Sequence, residues 1–120
     1  MHLVPAERAH RRIIDEHRVC DAIEGIGTPD RVREWAERFA LLADPGRLAL
    51  LLAIRMVPDI CVSDLAVAAG MNDTAVSQAL RLLRTAGLVT AAKDGRIMRY
   101  RLVDETVRAL LDEMTPAEPK

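Results

Sequence analysis

Apolar residues recur at helical spacing along most of the chain, and short segments with glycine, proline or a small polar residue separate the apolar runs. The first clear run begins at Thr28-Pro29, a typical helix start, and carries a stripe that consists of Val32, Trp35, Ala36, Phe39, Ala40 and Leu42. Further helices are predicted over residues 46–56, 63–69, 74–86 and about 104–114. In the first of these, the predicted core residues are Leu48, Leu51, Leu52 and Ile54. The pattern is therefore mainly α-helical.

Residues 88–102 follow a different pattern. Two strands are predicted over residues 88–91 and 97–102, joined at residues 92–96, where Asp94-Gly95 is a strong hairpin signal. Gly87 ends the preceding helix, and residues 60–62 are predicted as a short extended segment before the helix over 63–69. The predicted fold class is thus mainly α with a two-stranded β wing.

The N-terminal residues fit neither pattern well. Residues 8–22 are predicted as a frayed helix that Gly25 and Gly27 end, and we interpret residues 1–27 as an arm outside the core. Residues 28–114 then form a single domain, as expected for a chain of 120 residues, and residues 115–120 form a polar tail.

Composition narrows the class of protein. Half of the residues are apolar, but Phe39, Tyr100 and Trp35 are the only aromatic ones, so the core must be aliphatic, which suits packed helices. The scarcity of aromatic rings argues against a protein that binds RNA or single strands by base stacking. No apolar run approaches the roughly 20 residues of a membrane span, and the first residues lack the apolar segment of a signal peptide. We therefore expect a cytoplasmic protein with no membrane partner.

The net charge is −1, but basic residues are concentrated locally. Between residues 71 and 103, Asp73 and Asp94 are outnumbered by the basic residues Arg81, Arg84, Lys93, Arg96, Arg99 and Arg101. These lie on the second helix of a predicted helix-turn-helix, whose turn is Gly70-Met71-Asn72-Asp73, and on the hairpin after it. A helix in the major groove with a hairpin along the backbone is a common way to bind double-stranded DNA.

On that second helix, the residues predicted to face inward are Ala75, Val76, Ala79, Leu80 and Leu83. Small polar side chains and arginine on the opposite face suit the reading of base edges, and hairpin cations suit phosphates. The predicted DNA-binding residues are Thr74, Ser77, Gln78, Arg81, Arg84, Lys93, Arg96 and Arg99.

Other classes of protein fit less of the pattern. One alternative is a solvated helix beside a charged hairpin in an unrelated domain, and another is a helical interaction module whose hairpin binds an acidic partner. An enzyme is not predicted, because no paired catalytic carboxylates, phosphate-binding glycine loop or Ser/His/Asp set is visible.

Four phrases of the sequence resemble a known family. They are F-A-L-L-A-D-P-G-R-L-A-L-L (39–51), I-C-V-S-D-L-A (60–66), A-V-S-Q-A-L-R-L-L-R-T-A-G-L-V (75–89) and D-G-R-I-M-R-Y-R-L (94–102). From about Phe39 to Val107 the chain resembles the ArsR/SmtB winged-helix metalloregulatory repressors. The resemblance implies a winged helix-turn-helix homodimer that binds operator DNA and is released by metal. Its interface would use the first and last helices, with Trp35 and Leu110 as contributors.

The resemblance also implies where a metal would bind. Members of the family use the cysteine of an L-C-V-x-D-L phrase, together with ligands from the other subunit's arm, and Cys61 and Asp64 lie at the matching positions. The arm supplies His17 and Cys20, which are also three residues apart. Two thiolates, an imidazole and a carboxylate suit Zn²⁺, Cd²⁺ or Pb²⁺ and argue against Mg²⁺ or Ca²⁺. Additional candidate ligands are His2 and His10.

Some positions depart from the family pattern. Ser63 stands where arsenic and cadmium sensors often have a second cysteine, which argues against As(III). A second family site on the last helix is not expected, because Thr106 replaces its histidine, although Asp104 matches, and the later ligand positions hold Ala117 and Lys120. Gln78 stands where a histidine is common, a difference that bears on base preference or coupling.

The residues alone leave other inputs open. A single cysteine at a helix start is commonly a small buried apolar residue, and an arm histidine is commonly solvated. Cys20 and Cys61 also allow a thiol-redox response in place of a metal response. A regulator without a small-molecule input, or an activator, has the same DNA-binding pattern.

Overall fold

The computed structural model describes residues 3–8 and 11–115. After a 3₁₀ turn at Ala6–Arg8, the described helices are α1 (Glu16–Ile26), α2 (Pro29–Leu42), α3 (Pro45–Met56), α4 (Val62–Ala69), α5 (Asp73–Thr85) and α6 (Glu105–Met114). The strands are β1 (Ile60–Cys61), β2 (Val89–Asp94) and β3 (Ile97–Leu102). None of the described helices is long and apolar enough to cross a bilayer. The predicted fold class, mainly α with a β wing, is confirmed.

The chain divides into two compact units, residues 1–37 and residues 38–120. In the first unit, the helix predicted over residues 8–22 is present with different bounds: α1 starts later, where the Asp15 carboxylate accepts a hydrogen bond from the Arg18 amide, and it continues through Gly25. Only Gly27, with φ of 84°, ends it. Thr28 caps α2 as predicted, since its hydroxyl accepts from the Arg31 amide.

The second unit contains the aliphatic core. Its fully buried side chains come from α3, α4, α5, α6 and the residue before β2, and include Leu50, Leu51, Ile54, Leu65, Val76, Leu80, Leu83, Leu88, Val107 and Leu111. Of the core residues predicted on α3, Leu51 and Ile54 are buried, but Leu48 and Leu52 are only partly buried and pack against the cluster. Leu50 was missed by the sequence pattern, because consecutive leucines leave the buried face of a helix ambiguous.

The corner between α2 and α3 explains the A-D-P-G-R-L phrase. The Asp44 carboxylate accepts from the Arg47 amide and caps α3, and Pro45 occupies the first turn, where no amide hydrogen is needed. The Arg47 side chain points the other way and donates from Nε to the carbonyl of Leu41 over 3.0 Å, which satisfies a terminal carbonyl of α2. One short phrase therefore stops one helix and starts the next.

The three strands form an antiparallel sheet in the order β1-β3-β2. The hairpin register pairs Val89 with Leu102 and Asp94 with Ile97, so its turn contains only Gly95 and Arg96. The predicted five-residue connection over 92–96 is therefore too long, because Gly95 takes a φ of 64° and closes a two-residue turn directly after Asp94. The short extended segment predicted before α4 is confirmed at Ile60–Cys61, which pairs with β3 and adds a third strand to the sheet.

Candidate nucleic-acid interface and effector residues

Helices α4 and α5 meet at a sharp turn that begins at Gly70. This glycine adopts the left-handed conformation, with φ of 66° and ψ of 36°, and the next amide, that of Met71, donates back to the carbonyl of Ala66 over 3.0 Å. Asn72 then caps α5, because its side-chain oxygen accepts from the Ala75 amide over 2.8 Å. The predicted helix-turn-helix is therefore present, and its helix stop and helix start lie only two residues apart.

Helix α5, which we call the recognition helix, has two distinct faces. Val76, Ala79, Leu80 and Leu83 are buried as predicted, whereas Ala75 is only partly buried. The residues of this helix that were predicted to bind DNA are all exposed, namely Thr74, Ser77, Gln78, Arg81 and Arg84. A packed apolar face thus presents hydroxyl, amide and guanidinium groups on a rigid support, which is the donor and acceptor set that base edges and phosphates require.

The wing (β2 and β3) holds its basic residues in two ways. Lys93 and Arg96 are exposed near the turn. Arg99, by contrast, donates from Nε to the Asp94 carboxylate over 2.8 Å and from Nη1 to the carbonyl of Asp59 over 3.1 Å. Its side chain is 37% exposed, and the hydrogen bond with Asp94 raises the pKa of its guanidinium. Arg99 is therefore already hydrogen-bonded within the free protein. The prediction that it contacts phosphate did not include these bonds.

Asp59, which precedes β1, is a residue that sequence reasoning missed. Its carboxylate accepts two hydrogen bonds from Arg101, with Nε–Oδ1 3.2 Å and Nη2–Oδ2 2.5 Å, and this contact lowers the pKa of Asp59. Its φ of 67° is rare for a residue other than glycine, although aspartate tolerates it better than most. The Pro58-Asp59 pair indicates a turn, but no local signal identifies an arginine 42 positions later as the partner.

The candidate metal ligands in the second unit lie at the start of α4. Cys61 is a buried free thiol that caps the helix through its backbone, with no hydrogen bond from its side chain to the first turn. Its Sγ lies 3.5 Å from the Ser63 hydroxyl. Asp64 is exposed in the first turn of the same helix. Because the sulfur is not used for capping, a thiolate and a carboxylate remain free to act as ligands here.

The candidate ligands in the first unit lie on α1. Cys20, a half-buried free thiol, and the exposed His17 line a cavity of about 430 Å³ together with Asp21, Glu24 and Leu3. The Cys20 sulfur accepts a hydrogen bond from the Leu3 amide over 3.3 Å. Positions 17, 20, 21 and 24 fall on one face of a helix, so this side of α1 is rich in metal-ligand chemistry.

Within the described part of the chain, no three histidine, cysteine, aspartate or glutamate side chains are placed so that they could hold a metal ion. The two pairs, Cys61 with Asp64 and His17 with Cys20, each provide half of a four-coordinate set. The further candidates His2 and His10 lie outside the described residues, as do Ala117 and Lys120.

Comparison with known proteins identifies the family. Residues 44–91 match the description "Bacterial regulatory protein, arsR family". The chain is 41% identical over 85 residues to a "Transcriptional repressor SmtB homolog" of Synechocystis sp., covering 71% of this chain and 64% of that protein. It is 35% identical over 103 residues to the "Putative arsenical resistance operon repressor ArsR2" of Halobacterium salinarum, covering 85% and 86%.

The fold has solved counterparts. A homodimeric winged helix-turn-helix DNA-binding domain from Mycobacterium bovis, described as a possible ArsR-family transcriptional regulator, superposes with a TM-score of 0.62 at 32% identity, over 72% of this chain and 83% of that one. Sequence and fold agree with the resemblance seen in the four phrases. The chain therefore belongs to the ArsR/SmtB family of winged-helix bacterial regulatory proteins.

Proposed function

We propose that this protein is a homodimeric transcriptional repressor that binds operator DNA and releases it when a thiophilic divalent metal binds. The observation that carries the proposal is the division of the recognition helix into a packed face and an exposed face. Its apolar face is fixed in the core, while Thr74, Ser77, Gln78, Arg81 and Arg84 are all exposed on the other side. With Lys93 and Arg96 exposed at the wing, these side chains supply both base-reading and phosphate-binding groups. Two of its relatives are named as repressors, which supports the direction of control.

Exposed apolar residues on α2 support the dimer. No residue of α2 is buried in the single chain, and Val32 and Phe39 are 46% and 52% exposed. Large apolar side chains exposed together on one helix commonly mark an interface, and the M. bovis counterpart is a homodimer. We propose that α2 pairs with α6, with the half-buried Trp35 and Leu110 among the contacts. Two recognition helices would then read two half-sites.

The donor chemistry supports a soft metal. Cys61 and Asp64 from one protomer, with His17 and Cys20 from the arm of the other, would give two thiolates, an imidazole and a carboxylate, which suits tetrahedral Zn²⁺, Cd²⁺ or Pb²⁺. Neither pair suffices alone, so ligation requires the two pairs to meet. A bound ion would supply the cross-link between an arm and a helix-turn-helix.

Metal binding would affect DNA binding through helix α4. Cys61 and Asp64 occupy its start, and its far end leads through Gly70 into the recognition helix. Leu65 of α4 and Leu80 of the recognition helix belong to the same buried cluster, so a displacement of α4 would be transmitted to the recognition helix. Tying α4 to the partner's arm would favour a dimer geometry in which the two recognition helices no longer match the half-site spacing.

A titration with DNA release as the readout tests the proposal. Zn²⁺ or Cd²⁺ is added to the dimer on an operator selected from a random duplex library, and binding is followed by fluorescence anisotropy. We expect release for the wild type and little or none for Cys61→Ser, with Cd–thiolate absorbance reduced in Cys20→Ser as well. Ser63→Ala is the matched control, because it alters the same helix turn without removing a predicted ligand.

The same experiment separates the alternatives. DNA affinity that stays unchanged at saturating metal would contradict the metal response. Release by an oxidant without any metal effect would support a thiol-redox regulator that uses Cys20 and Cys61. A shallow dependence of binding on salt would contradict groove binding and favour an interaction module for acidic partners.

A further inference from the structure

Two carboxylates form ion pairs with the arginines of the wing. Asp59 receives the fork of Arg101, and Asp94 receives Nε of Arg99. Arg99 also donates to the backbone carbonyl of Asp59, so the four residues form one connected group. We call this group, Asp59, Asp94, Arg99 and Arg101, the wing ion cluster.

The two arginines of the cluster share one face of β3. They are two residues apart, and the intervening and following residues, Tyr100 and Leu102, pack on the core side. Two residues of strand span about 7 Å, a spacing comparable with that of neighbouring phosphates along a nucleic-acid strand. The arginines are thus arranged as a pair of phosphate contacts, although each is bound to a carboxylate.

The carboxylates present the same chemistry as a phosphate. Arginine binds both groups through parallel N–H···O hydrogen bonds, and Asp59 accepts such a fork from Arg101. The pairs are also accessible, since the side chains of Arg101 and Asp59 are 56% and 48% exposed and those of Arg99 and Asp94 are 37% and 66% exposed. Exposed ion pairs contribute little to stability, so an arriving phosphate can replace the carboxylate at low cost.

Asp59 stays in place when its arginine leaves. Its amide donates to the carbonyl of Tyr100 over 2.9 Å, which fixes the backbone at the edge of the sheet independently of the side chain. A fixed carboxylate beside a bound phosphate repels it, so Asp59 lowers the affinity for any DNA backbone. Its effect does not depend on base sequence.

We propose that Asp59 and Asp94 act as substitutes for DNA phosphates. They bind Arg101 and Arg99 in the free protein, and phosphates of the DNA backbone replace them when DNA binds. This competition lowers the affinity for non-specific DNA. This inference rests on the proposed DNA binding and adds to it two acidic residues that determine the affinity of the wing for DNA.

The test uses a random-sequence duplex and the full-length protein. Affinity is measured against salt concentration for the wild type, Asp59→Asn and Asp94→Asn. Asparagine suits both positions, because it tolerates the positive φ of Asp59 and because Asn-Gly is a favoured hairpin sequence at 94–95. Glu105→Gln is the matched control: it removes one carboxylate charge from the exposed Glu105–Arg108 pair at the start of α6, away from the turn of the wing.

We expect each asparagine variant to bind the duplex about 2- to 5-fold more tightly per protomer than Glu105→Gln does. Arg101→Ala should lower the slope of log K against log salt by about 0.9 per protomer, because one phosphate contact is lost. In the double variant Asp59→Asn/Arg101→Ala, the gain from Asp59→Asn should fall to that of the control, since both changes act through one contact. Circular dichroism confirms that each variant is folded, and Arg101→Gln replaces Arg101→Ala if the latter is not.

The outcomes separate this inference from the function on which it rests. A steep salt slope for the wild type that Arg101→Ala and Arg101→Gln leave unchanged would overturn the substitute role while DNA binding stands. The same conclusion follows if Asp59→Asn and Asp94→Asn bind no more tightly than Glu105→Gln. A wild type that binds duplex DNA without salt dependence would overturn the proposed function itself.

Discussion

The recognition helix and the wing both present basic side chains, but the two regions position them differently. Arg81 and Arg84 are exposed on the recognition helix and form no ion pair with another residue of the described chain, while the apolar residues beneath them are fully packed. In the wing, Arg99 and Arg101 are oriented by hydrogen bonds to Asp59 and Asp94. The helix therefore controls where its side chains lie through packing, and the wing does so through charge.

This difference has consequences for how each region responds to change. Packing is insensitive to salt, whereas exposed ion pairs weaken as ionic strength rises. The recognition helix should therefore keep its geometry under all conditions in which the core is folded. The wing arginines should exchange partners readily, and this makes the wing the adjustable part of the DNA-binding surface.

The largest effect should come from the packed face of the recognition helix. Leu80 is fully buried, and Leu80→Ala should lower the free energy of unfolding by about 2–5 kcal/mol, because it removes buried methyl groups and leaves a cavity. Urea unfolding measures the change. Leu82→Ala on the same helix is the control, since Leu82 is 51% exposed and its loss should change stability by no more than about 0.5 kcal/mol. Equal losses in the two variants would contradict the description of two faces.

The next largest effect is on DNA affinity. It distinguishes the two regions by whether their arginines contribute to sequence specificity. Arg81→Ala should weaken binding to a selected operator by about 1–3 kcal/mol and should affect a random duplex much less, because a base-reading contact is lost. Arg96→Ala at the wing should weaken binding to both duplexes alike and reduce the salt slope by about 0.9 per protomer. If Arg81→Ala weakened both duplexes equally, the recognition helix would serve only as a backbone contact.

The same division shows what sequence could predict. The recognition helix follows from local signals, since Asn72 starts it, Gly87 follows its end, and the helical spacing of Val76, Leu80 and Leu83 identifies its buried face. The position of the wing turn also follows from Asp94-Gly95, although the number of residues in the turn does not. The role of Asp59 could not be predicted, because its partners Arg99 and Arg101 become neighbours only when β1 pairs with β3. Contacts between remote residues carry no local periodicity.

The arm illustrates a further limit. Residues 8–22 contain enough apolar residues to suggest a helix, but the Asp15 cap determines where α1 starts, and a helix with no buried residue tolerates Gly25 inside it. The metal ligands depend on the arm of a second protomer. Their pairing was therefore available only through the family resemblance, and it stays a prediction.

The cap of the recognition helix gives a smaller effect. Asn72→Ala should lower stability by about 1 kcal/mol, because the Ala75 amide loses its side-chain acceptor at the start of the helix. Asn72→Asp keeps an acceptor and should retain the stability of the wild type. Thermal unfolding of the three proteins measures both changes. If Asn72→Asp were as unstable as Asn72→Ala, the hydrogen bond would not be the cause.

The smallest effect is the difference between two substitutions at a backbone conformation that the two regions share. Gly70, before the recognition helix, and Gly95, in the wing turn, have φ of 66° and 64°, and a Cβ added at either would meet no atom within 4 Å. Alanine at each position therefore introduces only the strain of a left-handed residue, about 1–2 kcal/mol. Gly70→Ala should show that cost in full, because the turn is tied to Ala66 and flanked by two helices that are each packed against the core. Gly95→Ala should cost less, because an exposed hairpin end can rearrange locally, and asparagine should restore stability at both positions. Equal costs in urea unfolding would mean that the wing turn is as rigidly held as the helix-turn-helix, and the contrast between a packed region and an adjustable one would no longer hold.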